Sequence, residues 1–374
     1  MARISFLLGL TACLLNLLTP TFAVEIWDIF TVDRTKDTDG ACKARMTVLD
    51  QWLSEGSYSL DVALNAIDNY LTEPAVRDAM TTFFGVQQTE EGRKPSTIEP
   101  IRKKIQWVHY FFNQERNPKK KNELWFKANE YYLFCDSDFL ARRDKTDSAL
   151  DFQTKVIVDK DNNEISIDKV PGYATALRKE AKAVPWWAGA SGLNGYFFTE
   201  SGGDYCDTAG NFGLTAKIEL FKQGANGKAQ KDRIARSVII CPNAFDQNQP
   251  DSYKEANELL ATGTNLADAV PKSATLVHEL FHAIHGGDFS TGKAEEYDLG
   301  ACIKLAEQQV QNSRKNIENY IFFIAHMYHL YGEADGEEPW SIKKNWNFQI
   351  EYISNSKDFI YGATEDGDAM DVDE

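Results

Sequence analysis

Apolar residues recur at helical spacing through the first third of the chain. Within residues 42–53 they fall three or four positions apart, which places them on one face of an α-helix. Residues 59–71 repeat the pattern, and Ser96 is suited to cap a further helix that runs to about Asn113. The first part of the chain is therefore expected to consist of packed helices.

Strand patterns follow in the middle of the chain. Residues 152–159 and 164–170 flank a polar run and predict a β-hairpin, and residues 237–241 predict a third strand. Glycine and asparagine interrupt residues 185–227, which we expect to be irregular loops. Helical periodicity returns from Ala267. The predicted fold class is α+β, mainly helical with a small β-sheet.

The two ends of the chain differ from its body. Residues 1–23 contain a short apolar run and end in Ala23, the pattern of a secretory signal peptide. The run is shorter than the ~20 apolar residues that span a bilayer, so we expect cleavage and secretion rather than anchoring. Residues 363–374 are acidic and are expected to form a disordered tail. Between them we expect a helical region, residues 24–150, and a second region, residues 151–362.

Composition and charge narrow the classes of function. The chain has 374 residues, 43% of them hydrophobic, which is enough apolar material for a packed core. Its 40 Lys and Arg against 56 Asp and Glu give a formal net charge of −16, which repels nucleic acid and anionic lipid. We therefore expect no nucleic-acid partner and, after signal cleavage, no membrane partner.

The cysteines predict disulfides. The cysteines that follow the expected cleavage site are Cys42, Cys135, Cys206, Cys241 and Cys302. Disulfides persist in the compartment that a signal peptide implies, and the spacings contain no Cys-x-x-Cys pair that would favour a cysteine-bound metal. We expect two disulfides and one unpaired thiol, with the pairing left open.

The main chemical motif is His-Glu-Leu-Phe-His at residues 278–282, inside an apolar helical pattern. Four positions turn an α-helix by about 400°, so His278 and His282 project from one face and can share a metal ion. Imidazole suits zinc, and three protein ligands leave a position for a water molecule. Glu279 would take the proton of that water as general base. The alternative is a buried helix whose two histidines have only structural partners.

The third protein ligand is not fixed by this motif. His285 lies on the same face, but a Gly-Gly pair ends the helix directly after it, which favours a position lining the cleft. Glu307 lies about as far along the chain as a ligand from a second helix would, without a supporting motif. The acidic residues Glu295, Glu296 and Asp298 follow the helix break more closely.

The order of these segments resembles the deuterolysin (aspzincin) family of fungal secreted zinc metalloendopeptidases. The motif is followed by a short loop, an acidic residue beside a tyrosine, a glycine and a helix with a cysteine. Residues 316–323, Asn-Ile-Glu-Asn-Tyr-Ile-Phe-Phe, are similar to the family's Asn-Ala-Asp-x-Tyr-x-x-Phe helix, and residues 239–245 to the strand before its active site. The resemblance covers mainly residues 206–331 and implies a zincin-like fold with one zinc ion.

The resemblance also implies site residues. The family's third ligand is the Asp of Asp-x-x-Tyr-Gly, whose Tyr donates a hydrogen bond to the developing oxyanion. Alignment on Gly300 puts the ligand position at Glu296 and the tyrosine position at Leu299, whereas alignment on Tyr297 puts the ligand position at Ala294. We expect Glu296 to be the third ligand, with its acidic neighbours as alternatives, and Tyr297 to be the oxyanion donor.

These observations predict a secreted zinc-dependent metalloendopeptidase acting on proteins or peptides. The departure in the third-ligand motif leaves open an alternative, a secreted zinc-binding or effector-like protein with little or no proteolytic activity. A helical secreted domain without metal is the third possibility.

Overall fold

The computed structural model describes residues 24–87, 93–289, 294–332, 346–352 and 359–365. The expected signal peptide, residues 1–23, lies outside these ranges, as do residues 366–374 of the expected tail. Residues 363–365 instead belong to a strand, in which Ala363 is fully buried. The tail boundary expected at residue 363 is therefore too early.

Helices predominate in residues 46–112 and 242–331, strands predominate between these two stretches, and two further strands follow the second one. The α-helices are α1 (Ile26–Ile29), α2 (Met46–Asp68), α3 (Pro74–Phe84), α4 (Ile98–Phe112), α5 (Pro171–Lys179), α6 (Pro242–Asp246), α7 (Tyr253–Leu259), α8 (Ala274–His285), α9 (Leu299–Gln308), α10 (Val310–Ser313) and α11 (Ile317–Tyr331). The strands are β1 (Thr31–Val32), β2 (Arg116–Asn117), β3 (Glu123–Leu124), β4 (Tyr131–Phe134), β5 (Ala141–Arg142), β6 (Val184–Trp187), β7 (Tyr196–Thr199), β8 (Gly213–Gln223), β9 (Ala229–Ile240), β10 (Trp346–Tyr352) and β11 (Phe359–Glu365). The mixed α+β class is confirmed.

The two helices expected within residues 42–71 are one continuous helix, α2. Gly56 lies in its middle, where glycine lowers helix propensity. A Cβ at Gly56 would lie 3.0 Å from Cγ2 of Val277 and 3.1 Å from Cζ of Phe112, so the missing side chain lets α2 pass close to α8 and α4. Packing therefore overrides the local preference. The helix expected from Ser96 is confirmed as α4, but its cap residue is Thr97.

Seven strands form one sheet in the order β1-β4-β9-β8-β7-β6-β5. The β1–β4 and β4–β9 pairs are parallel, and the other pairs are antiparallel. The β8–β9 hairpin forms the long centre of this sheet. The turn between these strands contains Gly227 at φ 67°, where an added Cβ would lie 2.2 Å from the backbone nitrogen of Lys160. Glycine is therefore required at this turn.

One expectation for the middle of the chain is wrong, and another is met only in part. Residues 185–227, expected to be loops, contain most of β6 and all of β7 and β8, because alternate residues of β8 (Ala216, Ile218 and Leu220) are buried despite the surrounding glycines. The hairpin expected within residues 152–170 contains only isolated bridges, such as Val158–Glu164, rather than regular strands. The strand expected at residues 237–241 is present as the end of the longer β9.

Helix α8 lies between the helical layer and the sheet. It contacts α2, α4 and α11 on one side and β8 and β9 on the other. The largest apolar cluster combines residues from α1 near one end of the chain with residues of β11 near the other. This core therefore joins residues from both of the expected regions, 24–150 and 151–362.

The cysteines form two disulfides, Cys42–Cys135 and Cys206–Cys241. Cys302 is unpaired and buried, which confirms the expected two bridges and one thiol. The second disulfide ties the loop before β8 to the residue after β9. Within the described residues, no helix combines the length and the apolar character that crossing a bilayer requires.

Candidate functional site

Helix α8 presents two histidines toward a cleft. Its apolar residues Leu276, Leu280 and Phe281 are fully buried and fix the rotation of the helix. The helix ends at Gly286, which has φ 55° and starts a 3₁₀ turn. The opposite face carries His278 and His282, whose ring centroids lie 5.1 Å apart. The helical spacing thus brings both imidazoles to one position, as the motif predicts.

Glu295 completes the group. Its Oε2 atom lies 3.1 Å from Nε2 of His282 and 3.6 Å from Nε2 of His278. One ligand atom from each of the three residues lies within 4.8 Å of the others, a separation that suits one metal ion. The second carboxylate oxygen, Oε1, accepts a hydrogen bond of 2.8 Å from the backbone N–H of Ile317, the first residue of α11. That bond fixes the direction of the carboxylate.

The structure does not bring Glu296 into the group, contrary to the expectation that it is the third ligand. Its side chain is exposed, and its backbone forms hydrogen bonds with the side chains of Asn316 and Cys302. Asp298 is the N-cap of α9 and accepts from the N–H of Ala301 at 2.8 Å. Glu307 is exposed on α9. His285 is bonded through Nε2 to the carbonyl of Lys104 at 3.0 Å.

Glu279 is buried beside the two histidines. Its Oε2 accepts a 2.7 Å hydrogen bond from Oγ1 of Thr215, which also donates to the backbone carbonyl of Glu279. A Cβ at Gly213 would lie 2.7 Å from Cγ of Glu279, so this glycine leaves the space that the carboxylate fills. Burial raises the pKa of Glu279, although the neighbouring histidines oppose the effect.

A third carboxylate, that of Glu318, lies beside the ring of His278. Oε1 of Glu318 lies 2.9 Å from Nδ1 of His278, an ion-pair distance, although that nitrogen makes no hydrogen bond of regular geometry. Burial acts to lower the pKa of His278, but Glu318, with Glu279 and Glu295, outweighs it and raises the pKa to about 9. The site therefore holds an excess of negative charge that favours a bound cation.

Two tyrosines border the site. Tyr297 is 62% exposed, stacks on the ring of His278 and donates a 3.2 Å hydrogen bond to Oε2 of Glu295. Tyr205 lies near Glu279, and its hydroxyl donates to the carbonyl of Gly213 at 2.9 Å. Burial raises the pKa of Tyr205 to about 12, so its hydroxyl stays protonated at neutral pH and can donate.

Two cavities meet at this site. The larger has a volume of about 580 Å³ and the smaller about 290 Å³. Both are lined by Tyr205, Gly213, Glu279 and Tyr297. The acidic residue next to the two histidines thus lies on the boundary between two spaces, each able to take part of a ligand.

Some residues of the site are not apparent from sequence alone. Thr215 reaches Glu279 from β8. The sequence signal that could have identified this strand is its alternation of apolar and polar residues. Glu318 lies within residues 316–323. The sequence shows that this residue is acidic and lies near the start of a helix, but not that its carboxylate contacts His278.

Comparisons with known proteins give no assignment, because no family model, curated protein or solved structure matches the chain. The resemblance to deuterolysins therefore remains a prediction from the motifs. The fold shows in addition that His278, His282 and Glu295 lie together and which residues surround them.

Proposed function

We propose that the protein is a zinc-dependent endopeptidase in which His278, His282 and Glu295 hold one zinc ion. The proposal rests on one observation, the convergence of these three side chains beside the buried carboxylate of Glu279. Two imidazoles and one carboxylate are a ligand set that catalytic zinc sites use. In this proposal α8 and the β8–β9 hairpin form the centre of a zincin-like fold.

The residues around the group suit peptide hydrolysis. A bound zinc ion would polarise the peptide carbonyl and lower the pKa of a water molecule to about 7. Glu279 accepts the proton of the attacking water and returns it to the leaving nitrogen. Thr215 holds the carboxylate of Glu279 in place through its 2.7 Å hydrogen bond. With Oε2 of Glu295 committed to the metal, the hydroxyl of Tyr297 would be released from its 3.2 Å hydrogen bond to that atom and could donate to the negative charge that develops on the carbonyl oxygen.

The cleft also suits an extended peptide. Glu279 lies where the two cavities meet, so a chain that crosses it would place side chains in both. Among the described strands, β7 pairs with β8 through Tyr196 and Glu219 alone, and residues 213–218 of β8 pair with β9 on one side. An extended peptide could add its backbone beside such a strand.

Replacement of the proposed general base tests this function. The purified wild-type protein should contain about one zinc per chain and cleave peptides in a chelator-sensitive manner. Glu279→Gln should retain zinc and lose cleavage, because the amide cannot accept the proton. Glu307→Gln, an equivalent change on an exposed face of α9, is the matched control and should retain both properties. Zinc binding without chelator-sensitive cleavage by the wild-type protein would refute the enzyme.

The second candidate is a zinc-binding protein with little or no proteolytic activity. The observation that favours it is the departure from the motif of the family that the sequence resembles. Alignment on Gly300 puts Leu299 at the tyrosine position and the exposed Glu296 at the ligand position, which leaves the oxyanion donor to Tyr297. The two disulfides favour an oxidising compartment, and we propose that the protein is secreted. Sequencing of the N-terminus of the extracellular product, which should begin after Ala23, tests this location.

A further inference from the structure

The two cavities that meet at Glu279 differ in their chemistry. The apolar residues Val270, Pro271, Ala274, Ile321 and Phe322 form part of the wall of the larger one. The smaller one is more polar and more open, and a lysine is among the residues that line it. Two cavities that differ in this way beside a cleavage site would favour some substrates over others.

The larger cavity suits a bulky apolar side chain. Its volume of about 580 Å³ exceeds what a leucine or phenylalanine side chain occupies, and His278 and Glu279 are among the residues that line it. The carboxylate of Glu318 also borders it, but this group is engaged by the ring of His278. Asn211, Gln247, Gln249 and Thr275 also line the cavity, but more of its wall surface is apolar than polar. Burial of apolar surface favours binding by roughly 25 cal/mol per Å².

Lys217 distinguishes the smaller cavity. It lies on β8 two residues after Thr215, so both side chains leave the sheet on the face that α8 covers. Because α8 ends at His285, Lys217 extends past the helix, and its Nζ would lie 3.2 Å from a Cβ placed on Gly286.

The ammonium group of Lys217 forms no ion pair with a described residue. Among the described residues that line the smaller cavity, it is the only lysine or arginine. No described carboxylate lies within 4.0 Å of its Nζ, in contrast to Lys222 and Lys231, which pair with Asp232 and Glu219. An ammonium group left without a partner beside the proposed reaction centre is suited to bind an anion.

We propose that the substrate carries a bulky apolar side chain on one side of the cleaved bond and a carboxylate, bound by Lys217, on the other. The inference rests on the proposed function and names the substrate class of that site. The carboxylate has two possible sources, an aspartate or glutamate side chain or the carboxyl terminus of the peptide. The first corresponds to an endopeptidase with an acidic preference and the second to an enzyme that trims chain ends.

Cleavage mapping tests the inference. The zinc-loaded protein is incubated with a peptide library, and the products are identified by mass spectrometry. Sites with Leu, Phe or Met on one side and Asp or Glu on the other should dominate. Matched peptides with an acidic residue or alanine at that position, each with a free or an amidated carboxyl terminus, distinguish the two sources of the carboxylate.

Reversing the charge of Lys217 tests whether this residue determines the preference for a carboxylate. Lys217→Glu should lower kcat/KM for the preferred peptides by roughly three- to tenfold, the range for one partly exposed ion pair, and raise it for lysine-containing counterparts. Lys228→Glu makes the same change at the exposed far end of the hairpin and should alter neither value. Val270→Trp should shift the apolar preference toward alanine, because the indole fills part of the larger cavity.

The possible outcomes distinguish failure of the proposed substrate class from failure of the proposed function. Chelator-sensitive cleavage without these preferences, or preferences that Lys217→Glu leaves unchanged, would overturn the substrate class alone. A wild-type protein that holds zinc and cleaves no peptide in the library would overturn the proposed function, and the substrate class with it.

Discussion

The side chain of Asn316 holds the backbone of Glu296 at both of its polar groups. Oδ1 of Asn316 accepts from the N–H of Glu296 at 2.9 Å, and Nδ2 donates to the carbonyl of Glu296 at 2.9 Å. Successive side chains of an extended segment point in opposite directions. With the backbone of Glu296 fixed in this way, the carboxylate of Glu295 faces His282 and that of Glu296 faces solvent.

This relationship predicts which glutamate holds the metal. Glu295→Ala should reduce the zinc content well below one per chain and abolish cleavage, because it removes one of three ligands. Glu296→Ala, the matched change one residue along, should leave both nearly unchanged. Metal analysis after purification without chelators measures the difference. Loss of zinc in Glu296→Ala with retention in Glu295→Ala would reverse the assignment.

Glu318 is expected to position His278. Its carboxylate lies 2.9 Å from Nδ1, where it can orient the imidazole and increase the basicity of Nε2. Partners of this kind typically change metal affinity by about 10- to 100-fold, so Glu318→Gln should weaken zinc binding by that factor. Competition with a fluorescent zinc chelator gives the constant. Equal zinc affinities in the variant and in the wild type would show that Glu318 has no positioning role.

Gly213 should be required for the placement of Glu279. The added methyl of Gly213→Ala would lie 2.7 Å from Cγ of Glu279 and push its carboxylate away from the histidines. We expect kcat to fall by about 10- to 100-fold, because small displacements of a reacting group are costly, while zinc content stays constant. Gly287→Ala is the control, since its added Cβ meets no atom within 4 Å. Equal kcat values for the two variants would contradict the steric argument.

The two tyrosines should contribute unequally to catalysis. Tyr297→Phe removes the proposed oxyanion donor, a loss worth about 10²- to 10³-fold in kcat. The hydroxyl of Tyr205 is engaged by the carbonyl of Gly213, so Tyr205→Phe should cost only about fivefold, the value of one ordinary hydrogen bond. Single-turnover kinetics on one peptide compares them. A larger loss in Tyr205→Phe would transfer the donor role to that residue.

Two buried histidines outside the site predict loss of stability in acid. Burial lowers the pKa of His326 and His329 to about 4, although hydrogen bonds to Asn347 and to the carbonyl of Ala269 oppose the effect. The unfolded chain binds these protons near pH 6.5 and the folded chain only near pH 4, so the free energy of unfolding falls as pH decreases through this window. Each histidine contributes about 1.4 kcal/mol per pH unit.

Urea unfolding between pH 7 and pH 4.5 measures this dependence. The other groups that face the pair include the hydroxyl of Tyr361, 3.1 Å from Nδ1 of His326, and the ring of Tyr253 beside His329. Comparison of His326→Gln with the wild type isolates one histidine from the carboxylates that titrate in the same range. The variant should lose stability less steeply with decreasing pH, and identical slopes would contradict the assignment.

The sequence by itself determined the local chemistry. The spacing of His278 and His282 follows from the period of the helix, and the apolar residues between them ensure that this helix forms and is buried. The number of disulfides, the mixed fold class and helix α4 were also accessible, because each depends on composition or on contacts close along the chain. Strand β8 was missed because its alternation is short and lies among glycines.

The tertiary structure decided what depends on residues far apart in sequence. Choosing Glu295 over Glu296 required the position of Asn316, which belongs to the start of another helix. Thr215 and Gly213 reach Glu279 only because the β8–β9 hairpin passes under α8. Periodicity defines the face on which a side chain lies, but not which distant element packs against that face. The candidate ligands could therefore be found from the sequence, whereas their arrangement and the unequal cavities around them required the fold.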